Sequence, residues 1–130
     1  MLFSFSFWVS TMAQEVSVSI DGIVANDRIF GTVRGLQDHA RFKIVVYVKT
    51  DRWYVHPYAD AGEGKSWARI SRDGGWTIGT VQREFPATAI AAIVVAADFR
   101  EPSVSENVRN IPHVGIYSTT LLNTADYGKL

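Results

Sequence analysis

Apolar and polar positions alternate in short runs along most of the chain, and turn residues break the runs at the spacing of all-β domains. Glu15 to Ile20 places Val16, Val18 and Ile20 on one face, and Asp21-Gly22 reads as the turn that follows. Ile29 to Leu36 is strand-like, with Gly31 and Gly35 marking a bulge or a close backbone approach. Arg41 to Thr50 is the strongest strand. Phe42, Ile44, Val46 and Val48 line one of its faces, and Lys43, Val45, Tyr47 and Lys49 the other. Arg52 to Tyr58 follows after the single residue Asp51, and Ala59 to Ser66 is a polar loop. Trp67 to Ile70 and Gly75 to Val81 flank Ser71-Arg72-Asp73-Gly74, which predicts a hairpin. Ala89 to Ala97 is apolar on both faces and predicts a central strand buried on both sides.

Helical signal is nearly absent. Ser103 with Glu106 at the third following position has the capping-box pattern, predicting a short helix over Ser103 to Val108 that Pro112 closes. The consecutive β-branched residues Ile93, Val94 and Val95 argue against a helix in the apolar run before it. The start, Met1 to Ala13, is uncharged and apolar, with Phe3, Phe5 and Phe7 alternating with serines. It reads either as a signal-like segment or as a first strand, and the absence of Lys or Arg before Arg28 favours the strand. The chain thus divides into residues 1–14, a sandwich over 15–120 and a tail over 121–130. No run approaches the ~18 apolar residues of a membrane-spanning helix.

The expected fold class is all-β: a single antiparallel sandwich of roughly seven or eight strands. The 130 residues suit one domain, and 47% hydrophobic with 20% charged residues excludes wholesale disorder. Thirteen basic residues balance thirteen acidic ones, which argues against a nucleic-acid-binding domain. The absence of cysteine excludes a disulfide scaffold, a thiolate metal site and a cysteine nucleophile.

Enzyme-like patterns are weak. His39, His56 and His113 form no metal-ligand spacing. Asp51, Asp60, Glu63 and Asp73 lie in loops that would suit Ca²⁺ by residue type, but Asp is an ordinary turn residue. Ser66, Ser71 and Ser103 sit in no nucleophile motif, and Asp73 with Glu84 is the only candidate carboxylate pair. Gly62-Glu63-Gly64-Lys65-Ser66 lacks the preceding glycine and the following helix of a phosphate loop. No catalytic residue, metal or cofactor is implied.

The aromatic residues carry more information. They are 12% of the chain, and Trp53, Tyr54, Tyr58, Trp67 and Trp76 gather in one segment with His56. In an extended strand, Trp53, Val55 and Pro57 project to one side and Tyr54, His56 and Tyr58 to the other. Trp53 and Trp76 are expected in the core. Tyr54, His56 and Tyr58 would then form an outward stripe beside Arg52, joined by Trp67 as a ligand-binding face. Planar rings on such a face stack on sugar rings, while Arg bonds hydroxyls; the same rings also anchor protein partners. Arg69 and Arg72 bracket the segment as well.

Lys43 to Tyr58, followed by Ile70-Ser71-Arg72-Asp73-Gly74-Gly75-Trp76, resembles the β-sandwich accessory domains of bacterial secreted proteins, often attached to carbohydrate-active enzymes or surface proteins. The resemblance spans Asp21 to Ala97. It implies an immunoglobulin-like sandwich, a secreted or periplasmic setting and a non-enzymatic module that binds a polysaccharide. A structural or protein–protein interaction domain of immunoglobulin type is the alternative.

Overall fold

A computed structural model describes residues 15–83 and 87–121. The Met1–Ala13 segment, Glu84 and the tail beyond Leu121 therefore lie outside the described residues. Nine strands occur among those described: β1 (Ser17–Val24), β2 (Arg28–Arg34), β3 (Phe42–Lys49), β4 (Trp53–Val55), β5 (Ala68–Arg69), β6 (Gly75–Gly79), β7 (Ala89–Ala96), β8 (Val104–Ser105) and β9 (Gly115–Thr120). They form two antiparallel sheets. The smaller has the order β1-β2-β6; the larger runs β8-β4-β3-β7-β9, with β5 also paired to β3. This is the all-β sandwich that the alternation predicts. β5 lies within the expected Trp67–Ile70 strand; the strands not expected are β8, a two-residue pairing too short to show a period, and β9.

Strand β3 explains why the layers assemble as they do. Its even-numbered residues Ile44, Val46 and Val48 join Val18, Ile29, Val33, Trp76 and Ile78 of the smaller sheet in one core. Val45 and Tyr47 face the other way, into a second core with Trp53, Val55, Ile93, Val108 and Ile111. The larger sheet is therefore covered on both faces. Strand β7 is central beside β3 and buried from Ala89 to Val95, as its two-sided apolar pattern requires. Trp53 and Trp76 are both core residues.

The second core is roofed by the irregular chain between β7 and β9. The Tyr47 hydroxyl donates to the Pro102 carbonyl at 2.7 Å, and Lys43 Nζ pairs with Glu101 Oε1 at 2.9 Å. Burial raises the Tyr47 phenol above its ordinary range, so this donor stays protonated.

Three local expectations are corrected. Asp21-Gly22 is not a turn: β1 continues through it with a bulge between Ile20 and Gly22, and the chain reverses at Ala25–Asp27. The Thr32 and Ser19 hydroxyls both donate to Asp21, which suits a strand edge as well as a turn. Ser71–Gly74 is a turn, held by Gly74 N–H to the Ser71 carbonyl, but its arms do not pair as a hairpin. β5 belongs to the larger sheet and β6 to the smaller, so the turn carries the chain between layers. Gly74 makes this crossing at φ 90, where a Cβ would lie 2.3 Å from the Val33 carbonyl oxygen. Finally, Ser103 caps no helix. The Val104–Ser105 pairing takes that segment, and a single 3-10 turn follows at Val108–Asn110, capped by the Asn107 side chain.

Candidate functional site

Tyr54 stands directly opposite Val48 in the β3–β4 register, so both point toward the smaller sheet. Three strands cannot cover the face of the wider sheet. The uncovered part lies at β4, where Tyr54 is half-buried although Trp53 and Val55 on either side are buried. An open groove of about 660 Å³ occupies this place. Val48 and Tyr54 supply the sheet side, Pro57, Tyr58 and Arg83 come from the loops, and Val104 comes from edge strand β8.

Each ring in the groove is held. The Tyr54 hydroxyl donates to Asp51 Oδ1 at 2.8 Å, and the Thr50 hydroxyl reaches the same oxygen at 3.1 Å. These two bonds, the tyrosine's first, hold the Asp51 carboxyl below its usual range. The Arg52 guanidinium lies 5.9 Å from the Tyr54 ring centre and 3.8 Å from both Asp51 and Glu106. Tyr58, 42% exposed, has the Arg83 guanidinium 5.0 Å from its ring centre. Arg83 also donates to the Pro57 carbonyl.

The loop that resembles a phosphate loop has a different task here. Ser66 is buried; its hydroxyl accepts the Ala61 N–H at 2.6 Å and donates to the Tyr58 carbonyl at 2.7 Å. The Tyr58 N–H reaches the Lys65 carbonyl at 3.2 Å. Gly62-Glu63-Gly64-Lys65-Ser66 is thus the clamp that fixes Tyr58. Glu63 is engaged on its outer side by Arg69, at 3.0 and 3.1 Å.

The structure brings Arg52, Tyr54 and Tyr58 together and separates the other two residues of the expected face. His56 does not continue the outward stripe, because β4 ends at Val55 and the chain bends at His56–Pro57. Its side chain is 1% exposed and its Nε2 lies 2.6 Å from the Thr80 hydroxyl. Burial, and then the nearby Arg83 charge, push His56 down to about 4, so it is neutral at ordinary pH.

Trp67 lies elsewhere too. It packs on the second core with Lys43 Nζ 5.1 Å from its ring centre. It lines a separate groove of about 380 Å³ with His39, Ser71 and Arg72.

Arg83 and Val104 belong to the groove and carry no sequence signal. Arg83 follows β6 in no motif, and Val104 comes from a two-residue strand far along the chain. Among the described residues no group of three His, Asp or Glu side chains is placed to hold a metal ion. Asp73 instead accepts the Gly75 N–H at 2.9 Å within its turn. No described helix is long and apolar enough to cross a membrane. The chain matches no protein-family model and no curated protein sequence.

Proposed function

We propose that this chain is a non-catalytic β-sandwich module that binds carbohydrate in the groove between Tyr54 and Tyr58. One observation carries the reading: two tyrosines of the alternating segment line a single open groove whose walls are otherwise mostly aliphatic. Tyrosine rings offer flat apolar surface to the C–H faces of sugars at small entropic cost, since each has few rotatable bonds. Polar groups stand at the same place. Asp51 has acceptor capacity beyond its two hydroxyl partners, and Arg83 has N–H groups beyond the one on Pro57. Such a mixture fits ligands with apolar faces and hydroxyl edges, in keeping with the accessory-domain resemblance and its secreted setting.

Glycan-array screening followed by titration calorimetry tests this. Tyr54→Ala with Tyr58→Ala is expected to abolish binding while the thermal midpoint moves little, because Tyr58 is exposed and Tyr54 half-buried. Undiminished binding by the double variant sinks the reading. A protein partner is the second reading, favoured by Val104, 37% exposed on the open edge of the larger sheet beside the groove. Defined oligomers in light scattering, with no glycan bound, would select it.

A further inference from the structure

We infer that the sugar held in this groove is acidic, its carboxylate taken by the Arg83 guanidinium; the inference rests on the carbohydrate reading and narrows it.

Among the described residues, four charged side chains line or adjoin the groove: Asp51, Arg52, Glu106 and Arg83. Arg52 lies 3.8 Å from both Asp51 and Glu106, so two carboxylates share this one guanidinium. Arg83 differs. Among the described residues it has no carboxylate within ion-pair distance. Its contacts are a neutral carbonyl, that of Pro57, and the ring of Tyr58. Among the described residues Arg83 is therefore the cation of this groove that no carboxylate engages, and it stands on a mostly apolar wall, where field lines are less screened than at an open surface.

Placement matters as much as sign. The Pro57 carbonyl and the Tyr58 ring limit where the Arg83 side chain can go, so part of the ordering entropy is already spent before a ligand arrives. Arginine presents a planar fork that matches a carboxylate with two parallel hydrogen bonds. A sugar ring packed at Tyr58 brings a carboxylate substituent within reach of a guanidinium only 5.0 Å from that ring's centre. His56, buried nearby, adds no competing charge, since it is neutral.

Affinity electrophoresis of the full chain tests the inference, using gels that carry polygalacturonate or alginate and gels that carry the same polymers after carboxyl reduction. The expected result is retardation by an acidic polymer about tenfold stronger, as apparent Kd, than by its reduced counterpart. Arg83→Gln is expected to lose about that factor, and Arg83→Lys to recover part of it by restoring charge without the fork. Dextran sulfate is expected to retard the chain weakly; equal retardation by it marks general polyanion attraction and overturns the carboxylate assignment. Equal binding to acidic and reduced polymers overturns the inference and leaves the carbohydrate reading standing. Retardation by none of these, together with a silent glycan array, overturns both. The wild-type comparison decides the matter even where a variant fails to fold.

Discussion

The His56 imidazole lies 2.6 Å from the Thr80 hydroxyl, Nε2 to Oγ1, inside the protein and against the β3 carbonyl of Val46 that accepts its backbone N–H. The hydroxyl can donate to this nitrogen or accept from it, but it offers a protonated ring no counter-charge. Burial first, and the Arg83 charge second, lower His56 from its ordinary 6.5 to about 4. Between those values the unfolded chain binds a proton that the folded chain refuses. Stability from this group is therefore complete above about pH 6.5 and is lost as pH falls toward 4. A displacement of this size corresponds to about 3 kcal/mol for a group so deeply buried. Urea unfolding at pH 7 and pH 4.5 is expected to show most of that loss in the wild type and a flatter profile in His56→Gln. Parallel pH profiles for the two proteins would refute this role for His56.

Lys43 and Glu101 also form a buried polar pair, 2.9 Å apart, with side chains 8% and 11% exposed. Removing one partner strands a charge under the roof of the second core. Glu101→Gln is expected to cost about 3 kcal/mol, as single deletions from buried pairs do. Lys43→Met with Glu101→Leu restores apolar contact at both positions and is expected to recover most of the loss. Chemical denaturation of Glu101→Gln, of Lys43→Met and Glu101→Leu singly, and of the double variant checks this; a double variant as unstable as the sum of Lys43→Met and Glu101→Leu contradicts it.

Gly31 faces Trp76 across the smaller sheet. A Cβ there would sit 1.9 Å from the Ser19 carbonyl oxygen and 2.7 Å from the Trp76 ring, so neither backbone nor indole has room to give. Gly31→Ala is expected to destabilise by about 3 kcal/mol, at the upper end of overpacking costs. Trp76 fluorescence should report the displaced ring. A thermal midpoint within a few degrees of wild type would show that β1 and β2 can separate at this point without loss.

How much of this was legible beforehand depends on period. Where a strand is long and its burial one-sided or two-sided throughout, the pattern sufficed: β3 and β7 have nearly the bounds that their sequences suggest. Short elements defeated it. Alternation assigns His56 to the Tyr54 face only while the chain stays extended; Pro57 marks the end of the strand after Val55 but does not say where the His56 ring goes. Closeness in sequence groups Trp67 with Tyr54, yet the loop from Pro57 to Ser66 carries it to the opposite face of the larger sheet. The same blindness to long-range contact hid Arg83, which meets Tyr58 only after the chain has crossed between layers. Gly62-Glu63-Gly64-Lys65-Ser66 has no local mark of a clamp, because that use depends on a hydroxyl reaching Tyr58 eight residues back.

That clamp gives the last test. Ser66 is fully buried, and its hydroxyl joins the Ala61 N–H to the Tyr58 carbonyl, at 2.6 and 2.7 Å. Ser66→Ala leaves a donor and an acceptor without this partner, at an expected cost of about 2 kcal/mol. The methyl side chain fits the space, so the fold survives while the loop beneath Tyr58 loosens. Glycan affinity is then expected to fall by less than in Tyr58→Ala, because the ring is still present but must be ordered on binding. Calorimetry should place the loss in the entropy term. Full affinity in Ser66→Ala, with the expected drop in stability, would show that Tyr58 is positioned by the cation stacked against it rather than by the loop below.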